Sequence, residues 1–287
     1  MRRIVIVLLR GILIVSFRIA SPARQAAPRS DTLAAMNLAD LPWPSVAALS
    51  KDTPVIIPIA ALEQHGHHLP LFTDSLLLGE IIRRASAHFE TSALFAPLSW
   101  LGNSHHHLDF AGTLSSAPRI YLDLLDGLAE NFLQHGFRRI FFINGHGGNE
   151  VPGKQAVFEL RQRHRERDDL LFLFATYWSL GARPWETDPS FIQREMGHAC
   201  EWETSMILRL APPLVGDYAS APPVEFTPSF APAFRGWITR ERTVPGHIGQ
   251  PHLASAEKGE TLFRLFADDV AAMIARVIQW DGQSWNG

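Results

Sequence analysis

The stretch "RRIFFINGHGGNEV", residues 138–151, decides the fold of this chain. An apolar run ends in a turn rich in glycine and asparagine, and residues that favour a helix follow it. This order predicts a buried strand that enters a helix through a tight glycine turn, with His146 at the carboxyl end of the strand. A phosphate-binding loop is excluded, because the glycine spacing differs and no lysine follows at the required place.

The same alternation extends on both sides of this unit. Apolar runs bounded by proline or polar residues predict further strands at 55–62, 93–100 and 170–178. Helical apolar spacing predicts helices at 75–89, 116–137, 150–165, 198–210 and 254–280. Alternating strands and helices indicate an α/β fold with three layers, α/β/α, and a mostly parallel central sheet. Functional residues are then expected on the loops at the carboxyl ends of the strands.

The composition is that of an ordinary globular protein, with 46% hydrophobic and 19% charged residues in a chain of 287. We expect a single domain over residues 36–287. A net charge of −3 argues against a nucleic-acid partner. The single cysteine, Cys200, excludes an internal disulfide and a cysteine-rich zinc cluster.

Residues 1–35 form an extension that has two interpretations. A basic start, an apolar stretch and small residues with proline resemble a signal peptide, which would make the protein periplasmic or secreted. Arg10 and Arg18 interrupt the apolar run, so we expect no membrane span. In the other interpretation translation starts at Met36 and the protein is cytoplasmic.

Residues 211–252 differ from the rest of the chain in their many prolines and glycines. They also carry the aromatic residues Phe226, Phe230, Phe234 and Trp237. This composition predicts an ordered loop, which is either a flap over the functional site or a plain surface loop.

The stretch "ALEQHGHHLPLFTD", residues 61–74, follows the first predicted strand. Glu63 and His65 lie two residues apart, so an extended backbone directs both side chains to one face. Asp74 follows far enough along the chain for a loop to fold back. Two carboxylates and an imidazole form a ligand set that suits Zn²⁺, Mn²⁺ or Fe²⁺. The plain alternative is a histidine-rich loop that only makes local hydrogen bonds.

The stretch "GHACEWETS", residues 197–205, opens the helix predicted at 198–210. His198 and Glu201 lie three residues apart and would share one face of that helix. Glu203 would point elsewhere if the helix begins at residue 198. The alternative is that these carboxylates are surface charges.

Together these motifs resemble the creatininase family. The resemblance covers roughly residues 36–210, and its segments are Glu63 to Gly66 with His68 to Leu71, Thr73 and Asp74, then Phe110 to Ser115 preceded by His107, then Asn144 to Asn149, then His198 to Ser205. It implies a creatininase-like fold, two divalent metal ions per chain and hydrolysis of non-peptide C–N bonds. It also implies a homo-oligomer, a hexamer. Family members include creatinine amidohydrolases, a deformylase of a pyrimidine precursor and a peptidase that trims the mycofactocin precursor.

The resemblance assigns metal ligands by position. They are Glu63, His65, Asp74 and His146. Asp74 would bridge the two ions.

One ligand of the family is missing from its usual place. Creatininases proper carry a glutamate two residues after the motif histidine, where this chain has Gly148. We expect Glu201 to replace that carboxylate, because true creatininases have an apolar residue at its position. Glu203 is the alternative ligand, or a group that orients His198.

Two further departures argue against creatinine itself as the substrate. Arg194 stands where true creatininases carry a tryptophan that closes over creatinine, and Cys200 stands where glycine is usual. Arg194 or Arg183 would pair with an anionic substrate, unless both are solvated surface charges.

The expected reaction is hydrolysis of a formamide or a cyclic amide. Water shared by two ions has a lowered pKa and attacks the amide carbon, while one ion polarises the carbonyl oxygen. His198 is expected to be the general acid and base. The alternatives are a peptidase of the mycofactocin-maturation type, a non-catalytic metal-binding homologue and a Cys200 nucleophile.

Overall fold

Five parallel strands form the central sheet of the computed structural model, which describes residues 35–225, 230 and 232–285. In chain order the strands are β1 (Met36–Asn37), β2 (Val55–Ile59), β3 (Leu94–Phe95), β4 (Arg139–Asn144) and β5 (Leu171–Thr176). Their order across the sheet is β1-β3-β2-β4-β5, and every neighbouring pair is parallel. The carboxyl ends of all five strands therefore lie at one edge of the sheet.

Helices cover both faces of this sheet. In chain order they are α1 (Trp43–Ala47), α2 (Thr73–Ser86), α3 (Pro118–Gln134), α4 (Glu150–Arg163), α5 (Pro184–Thr187), α6 (Glu201–Leu210), α7 (Thr239–Arg242) and α8 (Ala256–Gln279). One apolar core joins α2, α6 and α8 to Ile56 and Phe141, and the other joins α3 and α4 to Ile57 and Phe142. Successive strand residues face opposite sides, so the wholly apolar β2 contributes to both cores. The predicted three-layer fold with a parallel sheet is confirmed.

The helix predicted at 198–210 begins only at Glu201. His198 and Ile248 exchange two backbone hydrogen bonds, of 2.9 and 2.7 Å, which keep residue 198 extended. Ala199 then takes a left-handed conformation, with φ of +47°, and Cys200 is extended. Pairing with a residue about fifty positions away has thus removed the first turn that local spacing indicates. The two-residue strand β1 has no counterpart in the predicted set, because so short a run carries no periodicity.

The segment 211–252 returns to the carboxyl edge of the sheet. We call its residues 237–250 the strap. Three contacts fix the strap there: Thr239 Oγ1 to His107 Nδ1 at 3.0 Å, Gln64 Nε2 to the Gly246 carbonyl at 2.8 Å, and the backbone pairing of Ile248 with His198. The segment is therefore a cover over this edge, whereas Phe226 lies outside the described residues.

The amino-terminal extension falls almost wholly outside the described residues, which begin at residue 35. Both of its interpretations, and the compartment that each implies, stay predictions. Ala34–Gly287 group together as one compact unit. In the part of the chain that the structure describes, no helix combines the length and the apolarity that crossing a bilayer requires.

Candidate metal centre

Four buried side chains converge at the carboxyl edge of the sheet. Glu63 and His65 follow β2, His146 follows the neighbouring strand β4, and Asp74 lies in the first turn of α2. Each of them is at most 3% exposed. The structure thus brings together the four residues that the resemblance assigns by position.

Asp74 lies between the two imidazoles. Its Oδ1 is 3.1 Å from His65 Nε2, and its Oδ2 is 3.1 Å from His146 Nδ1. Glu63 Oε1 lies on the His146 side, 3.3 Å from Nδ1 of that ring. One carboxylate therefore presents its two oxygens to two different nitrogen donors, as a ligand shared between two cations does.

In both rings an outer nitrogen contacts a backbone carbonyl and an inner nitrogen faces Asp74. The contact of the outer nitrogen decides whether the inner nitrogen carries a proton or a lone pair. His65 Nδ1 lies 3.1 Å from the Glu63 carbonyl oxygen, and His146 Nε2 lies 3.0 Å from the Asn103 carbonyl oxygen. A carbonyl only accepts, so each ring donates its proton there. The inner nitrogen then directs a lone pair at Asp74, which requires a cation or a second proton between them.

The electrostatics of the cluster favour positive charge. Burial opposes the charged form of His146, but Glu63 and Asp74 outweigh it and raise the pKa of this ring to about 10. The burial of His65 is likewise outweighed, by Asp74 and Glu203, and its pKa lies well above the usual value. Burial also opposes the charged form of Asp74, but the two rings hold the pKa of its carboxyl far below the usual range.

Three buried carboxylates meet here, from Glu63, Asp74 and Glu203. Glu63 Oε2 has no hydrogen-bond donor among the described residues, and Asp74 Oδ2 has only the His146 nitrogen beside it. Buried carboxylate oxygens without donors are costly, and cations offset that cost. One divalent ion would leave the cluster negative, whereas two offset all three carboxylates. The donor set therefore fits two divalent ions.

The structure places Glu203, and not Glu201, at this cluster. Glu203 Oε1 is 3.7 Å from His65 Nε2. Glu201 is fully buried elsewhere, where its Oε1 lies 2.5 Å from Lys258 Nζ and its Oε2 accepts from the Gln193 N–H at 2.9 Å. Its charge is thus already offset by a lysine. The expectation that Glu201 supplies the missing carboxylate therefore disagrees with this geometry.

The start of α6 explains why Glu203, and not Glu201, lies at the cluster. Because the helix begins at Glu201, Glu203 is its third residue, and Glu203 Oε2 accepts from the Cys200 N–H at 3.4 Å. This is the position from which a glutamate folds back over a helix amino terminus. His198 and Glu201 share no helix face, since residue 198 is not helical.

Gly148 has no space for the glutamate of the creatininases proper. A Cβ at this position would lie 2.2 Å from the Asn103 carbonyl oxygen and 2.5 Å from His146 Nε2. It would also lie 2.8 Å from Cε1 of His106. A further carboxylate must therefore come from another segment, and Glu203 is a buried acid that faces His65 in addition to Asp74.

Sequence reasoning assigned no role to Gln64 or His107. Gln64 Nε2 and Thr239 Oγ1 lie 2.8 and 3.0 Å from His107 Nδ1. With both as donors, Nδ1 accepts and Nε2–H of this ring faces Glu63 Oε1 at 3.4 Å. His107 thus orients the Glu63 carboxylate. Gln64 and His107 stand inside or beside the family motifs, but no pattern connects them to Thr239.

His198 lies between two other imidazoles, and its ring is tilted relative to both. Its ring centroid lies 4.4 Å from that of His65 and 4.3 Å from that of His107. Its Nε2 donates to the Gln64 carbonyl oxygen at 2.7 Å, and its Nδ1 lies 3.6 Å from Glu63 Oε1. Burial lowers the pKa of His198 to about 3, so the ring is neutral near pH 7 with a lone pair on Nδ1.

The residues expected to bind an anionic substrate lie elsewhere. Arg183 pairs with Glu186 at 3.1 Å on the surface, and Arg194 stacks on Trp185 with 5.3 Å between the guanidinium carbon and the ring centroid. Burial raises the pKa of the Cys200 thiol to about 12, which disfavours the thiolate that a nucleophile requires.

Comparison with known proteins finds a family model and several relatives that match most of this chain. The model of the family described as Creatininase, creatinine amidohydrolase, matches residues 39–274. A mycofactocin precursor peptide peptidase of Mycobacterium ulcerans (strain Agy99) is 30% identical over 252 residues, which cover 82% of this chain and 86% of that protein. A creatinine amidohydrolase of Pseudomonas putida is 26% identical over 258 residues, which cover 82% of this chain and 94% of that protein.

Solved structures show the same fold. A crystal structure of creatinine amidohydrolase superposes with a TM-score of 0.72 at 25% identity, covering 84% of this chain and 97% of that one. Solved creatininases include an Mn form and a mutant of Zn-Zn type. The five-stranded parallel sheet and its helices are therefore those of the creatininase structures.

Proposed function

Because the chain belongs to the creatininase family, we propose that it is a metal-dependent amidohydrolase that cleaves a non-peptide C–N bond, in a formamide or a cyclic amide. The observation that carries this proposal is Asp74, whose two oxygens face two imidazole nitrogens at 3.1 Å each. A histidine–carboxylate pair with a purely structural role needs only one of these contacts.

Two sets of ligands follow from these contacts. Glu63, His146 and Asp74 would hold one ion, and His65, Asp74 and Glu203 would hold the other. Glu203 takes the place that the sequence pattern gave to Glu201. Zinc, manganese or iron suits such oxygen and nitrogen donors. When bound, the pair of ions supplies Lewis acidity and lowers the pKa of water.

His198 is the residue that moves the proton. Its Nε2 is committed to the Gln64 carbonyl, so Nδ1 is the atom that takes a proton from water and returns it to the leaving nitrogen. The Gln64 carbonyl, at 2.7 Å, stabilises the ring when it becomes charged. His107 keeps Glu63 oriented throughout, and the strap covers this edge of the sheet.

The first experiment measures metal content and hydrolysis on the same preparation. We expect about two ions per chain by elemental mass spectrometry, after reconstitution with Zn²⁺, Mn²⁺ or Fe²⁺. The loaded protein should release amine from members of a panel of formamides and cyclic amides. Failure to retain any ion would refute the hydrolase, whereas retention of ions without turnover of any substrate would favour the non-catalytic metal-binding homologue.

Replacing His198 by Asn tests the proton-transfer role. Asn fills similar space but accepts no proton at this pH, so kcat should fall by roughly 10²- to 10⁴-fold. Metal content should stay near that of the wild type, because His198 is outside both proposed ligand sets. His88→Asn, at an exposed histidine, is the matched control. Loss of metal in H198N would instead make His198 a ligand.

A peptidase is the second candidate, and the 30% identity to a mycofactocin precursor peptide peptidase favours it. The same metal-loaded preparation should be given peptides with free and with blocked carboxyl termini. Turnover of peptides without turnover of formamides or cyclic amides would move the assignment to this candidate. The hexamer stays a prediction, which light scattering of the metal-loaded protein tests.

A further inference from the structure

An aromatic wall stands beside the ligand His146. The His106 ring lies almost parallel to that of His146, with 5.7 Å between centroids. Trp237 of the strap meets His106 edge-on, with 5.2 Å between centroids. Neither His106 nor Trp237 is fully buried. The wall of His106 and Trp237 thus continues outwards from the metal ligands to the strap.

Arg242 places a positive charge on this wall. Its guanidinium carbon lies 4.7 Å from the centroid of Trp237, within the range of a cation–π contact. The side chain is half-buried, and burial lowers its pKa from the usual value. A guanidinium has five N–H donors in a planar fork, so it can keep protein contacts and still receive a carboxylate.

The strap holds Trp237 and Arg242 in place through its anchor on the metal centre. Thr239, between them in sequence, is fully buried and contacts His107 at 3.0 Å. The position of this wall is therefore tied to the residue that orients Glu63. Arg183 and Arg194, which sequence reasoning proposed for an anionic substrate, instead contact Glu186 and Trp185.

We propose that the substrate is a flat amide, with an anionic group on the side away from the scissile bond. The planar part lies against His106 and Trp237, and the Arg242 fork receives the anion. This proposal rests on the proposed function, because without bound cations the three carboxylates would repel an anionic substrate.

An aromatic formamide that carries a carboxylate is the simplest member of this class. In its hydrolysis the oxygen of water bonds to the formyl carbon and the C–N bond breaks. The nitrogen takes its proton from His198, so the products are the aromatic amine and formic acid, which releases a proton to solvent and becomes formate. The carboxylate of the ring is unchanged by the reaction and only binds.

Two probes that differ in one group test this proposal. 4-Formamidobenzoate carries the carboxylate, and formanilide is the same flat formamide without it. Binding to the metal-loaded protein is measured by calorimetry and hydrolysis by amine release. We expect the acid to bind roughly 10- to 100-fold more tightly, as a charge-assisted hydrogen bond provides. 3-Formamidobenzoate carries its carboxylate at a different ring position, so its affinity shows which distance between formamide and carboxylate the site prefers.

Variants then test whether Arg242 and Trp237 cause the tighter binding of the acid. Arg242→Gln should bind the two probes equally well, and Arg242→Lys should keep only part of the preference. Arg240→Gln, on the exposed side of the same short helix, is the matched control and should behave as the wild type. Trp237→Ala should weaken binding of both probes about tenfold, whereas Trp237→Phe should retain most of it. Metal content near two ions in each variant shows that the centre is intact.

The outcomes separate this inference from the proposed function. If the wild type binds the acid preferentially but hydrolyses neither probe, hydrolysis of aromatic formamides is refuted and the anion site stands. If both probes are hydrolysed but bind equally, or if R240Q loses the preference as R242Q does, the anion site is refuted. Failure of both probes to bind refutes it as well.

Discussion

Replacing Asp74 by Asn is expected to remove both metal ions and almost all activity. Each oxygen of this carboxylate lies 3.1 Å from a nitrogen of a different imidazole, so the substitution takes one ligand from each proposed ion. An amide supplies one neutral oxygen and an N–H that repels a cation. Metal catalysis is worth several kcal/mol of transition-state stabilisation, so its loss predicts a fall in kcat/KM on the order of 10³-fold or more.

Elemental mass spectrometry and a thermal melt with and without added Zn²⁺ or Mn²⁺ check this result. The wild type should melt at a higher temperature when the ion is added, because an ion that binds only the folded state stabilises it. D74N should show no such shift. Asp109→Asn, at an exposed acid near the same edge, should match the wild type. A D74N protein that keeps two ions would show that Asp74 is not a ligand.

Glu203 and Glu201 are expected to respond in opposite ways to the same substitution. Glu203→Gln should lower metal content from about two ions to about one, because only the ion shared with His65 uses this carboxylate. Glu201→Gln should keep both ions but destabilise the fold. It leaves the ammonium of Lys258 buried without its counter-charge, which costs about 3–5 kcal/mol.

Metal content and the free energy of unfolding in urea separate the two variants. Glu257→Gln, at the exposed neighbour of Lys258, is the control for the loss of an acid without the loss of a buried pair. The sequence-based expectation makes the reverse forecast, in which E201Q loses metal and E203Q keeps it. That result would show that α6 begins earlier in the metal-loaded protein than in this structure.

Local pattern was sufficient for strands β2 to β5 and for the five longer helices, but not for β1 or for the short helices α1, α5 and α7. The β-branched and aromatic residues of β2, β4 and β5 predict buried strands, and helices between them require parallel pairing. The family resemblance proposes Glu63, His65, Asp74 and His146 as ligands because the order and spacing of its motifs can be read along the chain, and the structure brings these four residues together.

Contacts between distant segments could not be predicted in this way. The start of α6 depends on the pairing of His198 with Ile248, and this start decides which glutamate reaches the centre. The partner of Glu201 is Lys258, from a helix that follows much later. Arg242 lies near the edge of the sheet because the strap is anchored there, through Thr239 and His107 among other contacts. Residue spacing contains no information about such partners.

The pairing of His198 with Ile248 also bears on when the protein acquires its ions during synthesis. It sets the beginning of α6, which carries Glu203, and Ile248 follows Glu203 far along the chain. A ribosome delivers residues 63–146 long before Ile248 emerges. A chain still being translated would then present the ligands of one proposed ion, Glu63, Asp74 and His146, before Glu203 is positioned for the other. We therefore expect the second ion to bind last, and truncated chains to hold at most one ion.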